Sequence, residues 1–115
     1  MPAKYLMSLD VGGSGGRCLL LNCETGQTIS ASRRWTHPNA PGLGSWAFDL
    51  DFANVWKILG EISLETLEKA RVSPQEVVGI AATSMRHNTV VIDRDGRVSF
   101  ATPNTDARGM NETPC

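Results

Sequence analysis

Tyr5-Leu6-Met7-Ser8-Leu9-Asp10-Val11-Gly12-Gly13-Ser14-Gly15-Gly16-Arg17-Cys18-Leu19-Leu20-Leu21-Asn22 is the stretch that decides how this chain folds. Residues 5–9 are a short, mostly apolar run that stops at a carboxylate, the pattern of a buried strand. Residues 11–16 carry four glycines and a serine, so the chain must turn there, and residues 18–22 resume as a second apolar run. Glu24-Thr25-Gly26-Gln27 supplies another turn, and residues 28–35 read as a third, more polar strand. Three strands joined by short turns predict an antiparallel meander.

Residues 37–45, with Pro38, Asn39, Pro41, Gly42 and Gly44, have loop chemistry and neither strand nor helix periodicity. From 51 to 70 the pattern turns helical. Val55, Leu59 and Ile62 fall at i, i+4 and i+7, with Trp56 and Leu67 widening the stripe. Glu65 and Lys69 form a favourable i,i+4 pair, and Asp49 or Asp51 is placed to cap the N-terminus. Ser73-Pro74-Gln75-Glu76 has capping-box spacing with proline at the first helical position, which predicts one short turn. Residues 77–83 are a near-continuous run of small apolar side chains, expected as a strand covered on both faces. Thr89-Val90-Val91-Ile92 then leads through Asp95-Gly96 into 98–101, a hairpin signal. Trp46 and Trp56 are expected to pack rather than to stack on a ligand. No repeat or linker interrupts the order, and 102–115 has no clear periodicity. The elements predict an α/β fold: a meander, a helix, a further strand and a hairpin, with a mixed sheet packed on one main helix.

Composition narrows the function classes. The chain has 115 residues, 41% hydrophobic and 20% charged, ordinary values for a globular domain. Eleven Lys and Arg against twelve Asp and Glu leave a net charge of −1, which gives no footprint for nucleic acid. The apolar run before Asp10 is too short for a signal peptide, and no run approaches the roughly eighteen residues of a membrane span. A cytoplasmic protein is expected. Cys18, Cys23 and Cys115 have no zinc spacing and are expected as buried, reduced thiols. Asn111-Glu112-Thr113 matches a glycosylation sequon, a pattern common by chance.

Three segments hold residues able to do chemistry. In Asp10-Val11-Gly12-Gly13-Ser14-Gly15-Gly16-Arg17, glycines let backbone N–H groups point into one concavity, as phosphate-holding turns do. Asp10 could hold a hydrated Mg²⁺, and Arg17 could face a phosphate. No Gly-Lys-Ser/Thr follows, and the dinucleotide fingerprint fails, so a flexible hairpin turn is the competing reading. Arg86 and His87 follow the fourth strand, where ligands of open α/β sheets bind, and are equally an exposed polar loop. Asp106 and Arg108, two apart on an extended segment, could grip a polyol or pair as a surface salt bridge. No Ser-His-Asp or Cys-His arrangement supports hydrolytic chemistry.

Taken together, these segments resemble the N-terminal part of the FGGY carbohydrate kinases. The run from Leu9 to Arg17 resembles that family's opening phosphate loop, and Trp46-Ala47-Phe48-Asp49 with Trp56 resembles its helix entry. Thr83-Ser84-Met85-Arg86-His87-Asn88-Thr89-Val90-Val91 resembles its sugar-contacting strand end, and Asn104-Thr105-Asp106-Ala107-Arg108 its Asn-x-Asp-x-Arg segment. The resemblance runs from Tyr5 to about Gly109 and leans toward the autoinducer-2 kinase branch. It implies a ribonuclease-H-like, actin-like ATPase fold and transfer of the ATP γ-phosphoryl group to a sugar or polyol hydroxyl. It further implies a phosphate and Mg²⁺ site at Asp10, Gly12, Gly13, Ser14 and Arg17. Arg86, His87, Asp106 and Arg108 would contact substrate. Two departures accompany it. Gly13 stands where the family has threonine, and the family's aspartate base and adenine-binding second domain fall beyond Cys115. Residues 1–115 are therefore expected to be an N-terminal part of the first kinase domain, inactive alone. The competing expectation is a non-catalytic remnant or interaction module that keeps the fold and self-associates through an exposed sheet edge.

Overall fold

A computed structural model describes residues 3–112; Cys115 and the Thr113 of the sequon lie outside the described residues. Seven main elements follow in order: β1 (Tyr5–Val11), β2 (Gly15–Asn22), β3 (Thr28–Arg34), α1 (Phe52–Ala70), β4 (Val77–Ser84), β5 (Thr89–Ile92) and β6 (Val98–Thr102). Pro74–Glu76 and Arg108–Glu112 are short 3₁₀ turns. The first four strands form one mixed sheet in the order β3-β2-β1-β4. β1, β2 and β3 are the expected antiparallel meander, and β4 returns parallel to β1. The β5–β6 hairpin stands apart as its own two-stranded sheet.

Strand periodicity decides which side chains enter the core. Cys18 and Leu20 on β2 point to one face with Met7 of β1 and Ala31 of β3, and all four are buried. Against that face α1 lays Val55, Leu59, Ile62 and Leu67, the stripe its sequence spacing predicts. The helix starts where the Asp51 carboxylate accepts the Asn54 N–H at 3.0 Å. It ends at Arg71, whose left-handed backbone lets its N–H return to the Glu68 carbonyl. Thr66 is fully buried on this helix, and its hydroxyl donates to the Ile62 carbonyl at 2.7 Å. Glu65 joins helix to sheet by pairing with Arg33 at 2.9 Å, and it also meets Lys69 at 3.4 Å, the pair expected from sequence.

Four expectations need correction. Trp56 is 70% exposed and Trp46 45%. Trp56 is exposed although Leu67, only about 20° from it round the helix and three turns on, is buried, and the tryptophan that packs is Trp35, against Gly16 and α1. Cys23 is exposed, because it begins the turn after β2, while Cys18 is buried. The fourth strand is not covered on both faces. α1 packs on β2 and β3, so β4 is an outer strand and leaves Val78 and Ile80 largely exposed. On the sheet face away from α1, Leu6, Leu19 and Leu21, with Gly79 and Ala81 of β4 beside them, line an apolar groove of about 380 Å³. The shape matches that open packing: the radius of gyration is 17.6 Å, where a compact chain of this length gives about 13 Å.

Candidate functional site

The C-terminal ends of β1 and β4 lie side by side, and the residues read as chemically able collect around them. Asp10 pairs in register with Arg17 of β2 on one side and with Thr83 of β4 on the other. Because Met7 and Cys18 point to α1, alternation sends Asp10, Arg17 and Thr83 to the opposite, open face. There the Thr83 hydroxyl donates to Asp10 Oδ1 at 2.9 Å, which fixes the carboxylate and leaves Oδ2 toward solvent. Among the described residues no three Asp, Glu, His or Cys side chains converge as a metal cage. A Mg²⁺ that keeps most of its water needs only one or two carboxylates, and an exposed, oriented Asp10 satisfies that demand.

The hairpin between β1 and β2 is tight: the Gly12 N–H donates to the Gly15 carbonyl at 2.9 Å. Its glycines do not adopt positive φ; they are required by close approach. At Gly13 the neighbour is a side chain from far along the sequence. A Cβ on Gly13 would lie 2.6 Å from Asn104 Oδ1, so the Asn104 side chain fills that space. The phosphate-type loop and the 104–108 segment, remote in sequence, are thus in contact. From its other side the loop is held by His37, whose Nε2 donates to the Gly13 carbonyl at 2.6 Å; with that tautomer Nδ1 is a buried, unpartnered acceptor. His37 sits in the stretch read as irregular loop, and its lone position gives no pattern by which sequence reasoning could find it.

Asp106 and Arg108 face each other and the chain that leads into α1. Arg108 Nε donates to Asp106 Oδ1 at 2.9 Å and to Oδ2 at 3.0 Å. Its Nη2 donates to the Phe48 carbonyl at 2.6 Å and to Asp49 Oδ1 at 2.8 Å. Asp106 Oδ1 also accepts the Phe48 N–H at 2.8 Å, and the Ala107 N–H reaches the Trp46 carbonyl at 2.8 Å. The Arg108 guanidinium lies 5.1 Å from the centre of the Phe100 ring. These contacts clamp 106–108 onto 46–49 and consume most of the hydrogen-bonding capacity that both side chains have. Asp49, one of two candidate caps, belongs to the clamp, and Asp51 does the capping. Arg86 and His87 are exposed beyond β4, with His87 at φ +59 and the preceding Met85 buried as their anchor.

Burial pushes the Asp106 carboxyl up, but the Phe48 N–H and the Arg108 guanidinium outweigh it and hold it below the ordinary carboxylate value. Arg108 is raised in turn, by its hydrogen bonds to Asp49 and then Asp106. A carboxylate with a lowered folded-state pKa stabilises the fold fully above its unfolded value of about 3.9, and that stabilisation is lost as pH falls through the folded value. The chain is therefore expected to melt at nearly constant temperature from pH 7 to 5 and progressively lower below about pH 4. Thermal scans across that range check this, and an Asp106→Asn chain should show a smaller acid-side drop than the parent.

Comparison with known proteins places this geometry. The family described as "FGGY family of carbohydrate kinases, N-terminal domain" matches residues 5–106. The autoinducer-2 kinase of Photorhabdus laumondii is 33% identical over 110 residues, 95% of this chain and 20% of that protein. An Escherichia coli autoinducer-2 kinase is 32% identical over 109 residues, with 94% and 20% covered. The chain spans about a fifth of the length of these curated relatives. Among solved structures, xylulose kinase from Rhodospirillum rubrum superposes with a TM-score of 0.76 at 22% identity, covering 95% of this chain and 22% of that one. Plasmodium falciparum glycerol kinase with ADP superposes at 0.67 and 14% identity, covering 96% and 22%. These likenesses establish the ribonuclease-H-like, actin-like ATPase fold for the meander, α1 and the parallel β4.

Proposed function

Since this chain belongs to the FGGY family of carbohydrate kinases, we propose that it supplies the phosphate loop and part of the acceptor site of an ATP-dependent carbohydrate kinase. The observation that carries the reading is the contact between Gly13 and Asn104, which brings the loop that opens at Asp10 against the segment holding Asp106 and Arg108. Phosphoryl transfer consists largely of positioning, so loop and acceptor segment must adjoin. When bound, MgATP would provide the phosphoryl group and neutralise charge on its oxygens. Asp10, oriented by Thr83, would hold the hydrated Mg²⁺; Ser14 and Arg17, which line the pocket beside it, would hold the phosphate tail together with the Gly12 and Gly13 backbone of the loop. Arg86 and His87, exposed and free to donate, contact hydroxyls of a small sugar, polyol or autoinducer-2-like substrate. Asp106 and Arg108, held on the backbone at Phe48, belong to the same acceptor site in this reading.

Residues 1–115 are the N-terminal part of the first kinase domain in this reading, and the protein is cytoplasmic; no helix among the described residues is long and apolar enough to cross a membrane. The 115 residues are expected to bind without turnover, because Asp106 is committed to Arg108 and Asp10, already bonded to Thr83, would be taken by the metal, which leaves neither to accept a hydroxyl proton. A second reading has its own observation. The exposed β4 edge, with Ile80 at 65%, favours a non-catalytic module that pairs with a second copy. Titration of the purified chain with MgADP and with a panel of pentitols and pentuloses, alongside sedimentation, decides between them. Nucleotide and sugar binding by a monomer is the expected result, with no ATP-dependent sugar phosphorylation. A dimer that binds neither ligand would establish the module instead, and turnover by the 115 residues would refute the assignment of Asp10 and Asp106.

A further inference from the structure

A second guanidinium shares the open face beside the hairpin. In the β2–β3 ladder Gly15 pairs with Arg34 and Arg17 with Ser32, so Arg17 and Arg34 are diagonal neighbours on the same face of the sheet. Gly15, with no side chain, leaves the space between them open. Asp10, Ser14, Gly15, Arg17, Ser32 and Arg34 line a pocket of about 360 Å³ there. Arg33, the next residue, turns to the other face and is neutralised by Glu65 at 2.9 Å. The Arg17 and Arg34 guanidinium groups have no such partner: among the described residues neither side chain makes a hydrogen bond or an ion pair. Two unneutralised guanidinium groups beside one carboxylate leave the pocket positive. Like charges on diagonal positions repel unless an anion sits between them.

We propose that Arg34 is a second phosphate-tail residue, which with Arg17 and the Ser14 and Ser32 hydroxyls holds a linear polyphosphate in this pocket. Guanidinium suits the task, since its planar fork of donors matches two phosphate oxygens at once. Arg34 also replaces what Gly13 lacks. With Asn104 in the place of a threonine hydroxyl, the loop offers one side-chain donor fewer to the phosphates, and Arg34 reaches the same pocket from β3. The inference rests on the kinase reading above in one respect, that the polyphosphate is the tail of a nucleotide.

Calorimetric titration of the chain with inorganic tripolyphosphate, MgADP and inorganic phosphate tests both parts. Tripolyphosphate should bind more tightly than inorganic phosphate. Arg34→Gln should weaken tripolyphosphate and MgADP about fivefold, the scale of one exposed charge pair. Arg34→Lys should recover part of that loss, and a melting curve for each variant confirms that the exposed strand end still folds. Unchanged binding in Arg34→Gln, with binding weakened in Arg17→Gln, would overturn the role of Arg34 and leave the kinase reading standing. Tripolyphosphate binding that depends on Arg34 without any MgADP binding would support the anion site and sink the nucleotide. A parent chain that binds neither tripolyphosphate nor MgADP would refute both.

Discussion

Gly15→Ala is expected to destabilise the fold by about 3 kcal/mol, at the upper end for overpacking, and to lower the melting temperature by roughly 15 °C. A Cβ at this position would lie 2.5 Å from the Arg33 carbonyl oxygen and 3.1 Å from the Arg34 Cα. Both are backbone atoms in a hydrogen-bonded ladder, so no side chain can swing aside to make room. β2 and β3 must part instead, and that strain falls on the register between Gly15 and Arg34 and on the Trp35 N–H bond to the Ser14 carbonyl. Because the same ladder positions Arg17 and Arg34, polyphosphate binding should weaken together with stability. Gly26→Ala is the control, since nothing lies within 4 Å of the added methyl, although its φ of +76° carries its own penalty, about 1 kcal/mol. Denaturant unfolding of both variants gives the comparison. A Gly15→Ala chain no less stable than Gly26→Ala would mean that the close approach of β2 to β3 does not hold in solution.

Local rules carried much of this fold. The meander was legible because each strand was short, apolar and ended by turn chemistry, and α1 because Val55, Leu59 and Ile62 repeat at helical spacing. The cap at Asp51 and the turn at Ser73 follow from backbone demands that a few neighbouring residues satisfy alone. What was hidden depends on tertiary partners. β4 reads as a fully covered strand, since Val77-Val78-Gly79-Ile80-Ala81-Ala82 is apolar throughout, but periodicity records what a strand can bury and not what lies beside it. Trp56 reads as core for the same reason, since it shares nearly the helix angle of the buried Leu67. The need for glycine at 15 is likewise non-local: the Arg33 carbonyl imposes it from the next strand, and at Gly13 the space is taken by the Asn104 side chain, remote in sequence. At the site, the residue types were legible and their orientation was not. Asp106 and Arg108 were readable both as a polyol grip and as a mutual pair, and the pairing is what the chain builds.

That pairing makes the outcome at Asp106 specific. Asp106→Ala is expected to cost about 2 kcal/mol, because it removes the acceptor of the Phe48 N–H and of Arg108 Nε together and leaves two partly buried donors unsatisfied. Residues 104–108 would then be held on the helix entry mainly by the Ala107 N–H and by the bonds from Arg108 to Phe48 and Asp49. Asn104 moves with this segment, so its place beside Gly13 would loosen, and the effect should reach the phosphate loop. Asp106→Asn separates geometry from charge: its amide oxygen can still accept the Phe48 N–H, although the charge-assisted bond to Arg108 weakens. If the clamp is a positioning device, Asn should recover more than half of the lost stability and most of the polyphosphate affinity, and sugar affinity should track stability across the series. If Asp106 instead contacts the sugar directly, Asn should keep stability yet lose sugar binding as fully as Ala. Melting curves and sugar titrations on the three chains distinguish the outcomes, and loss of sugar binding without loss of stability would overturn the positioning role.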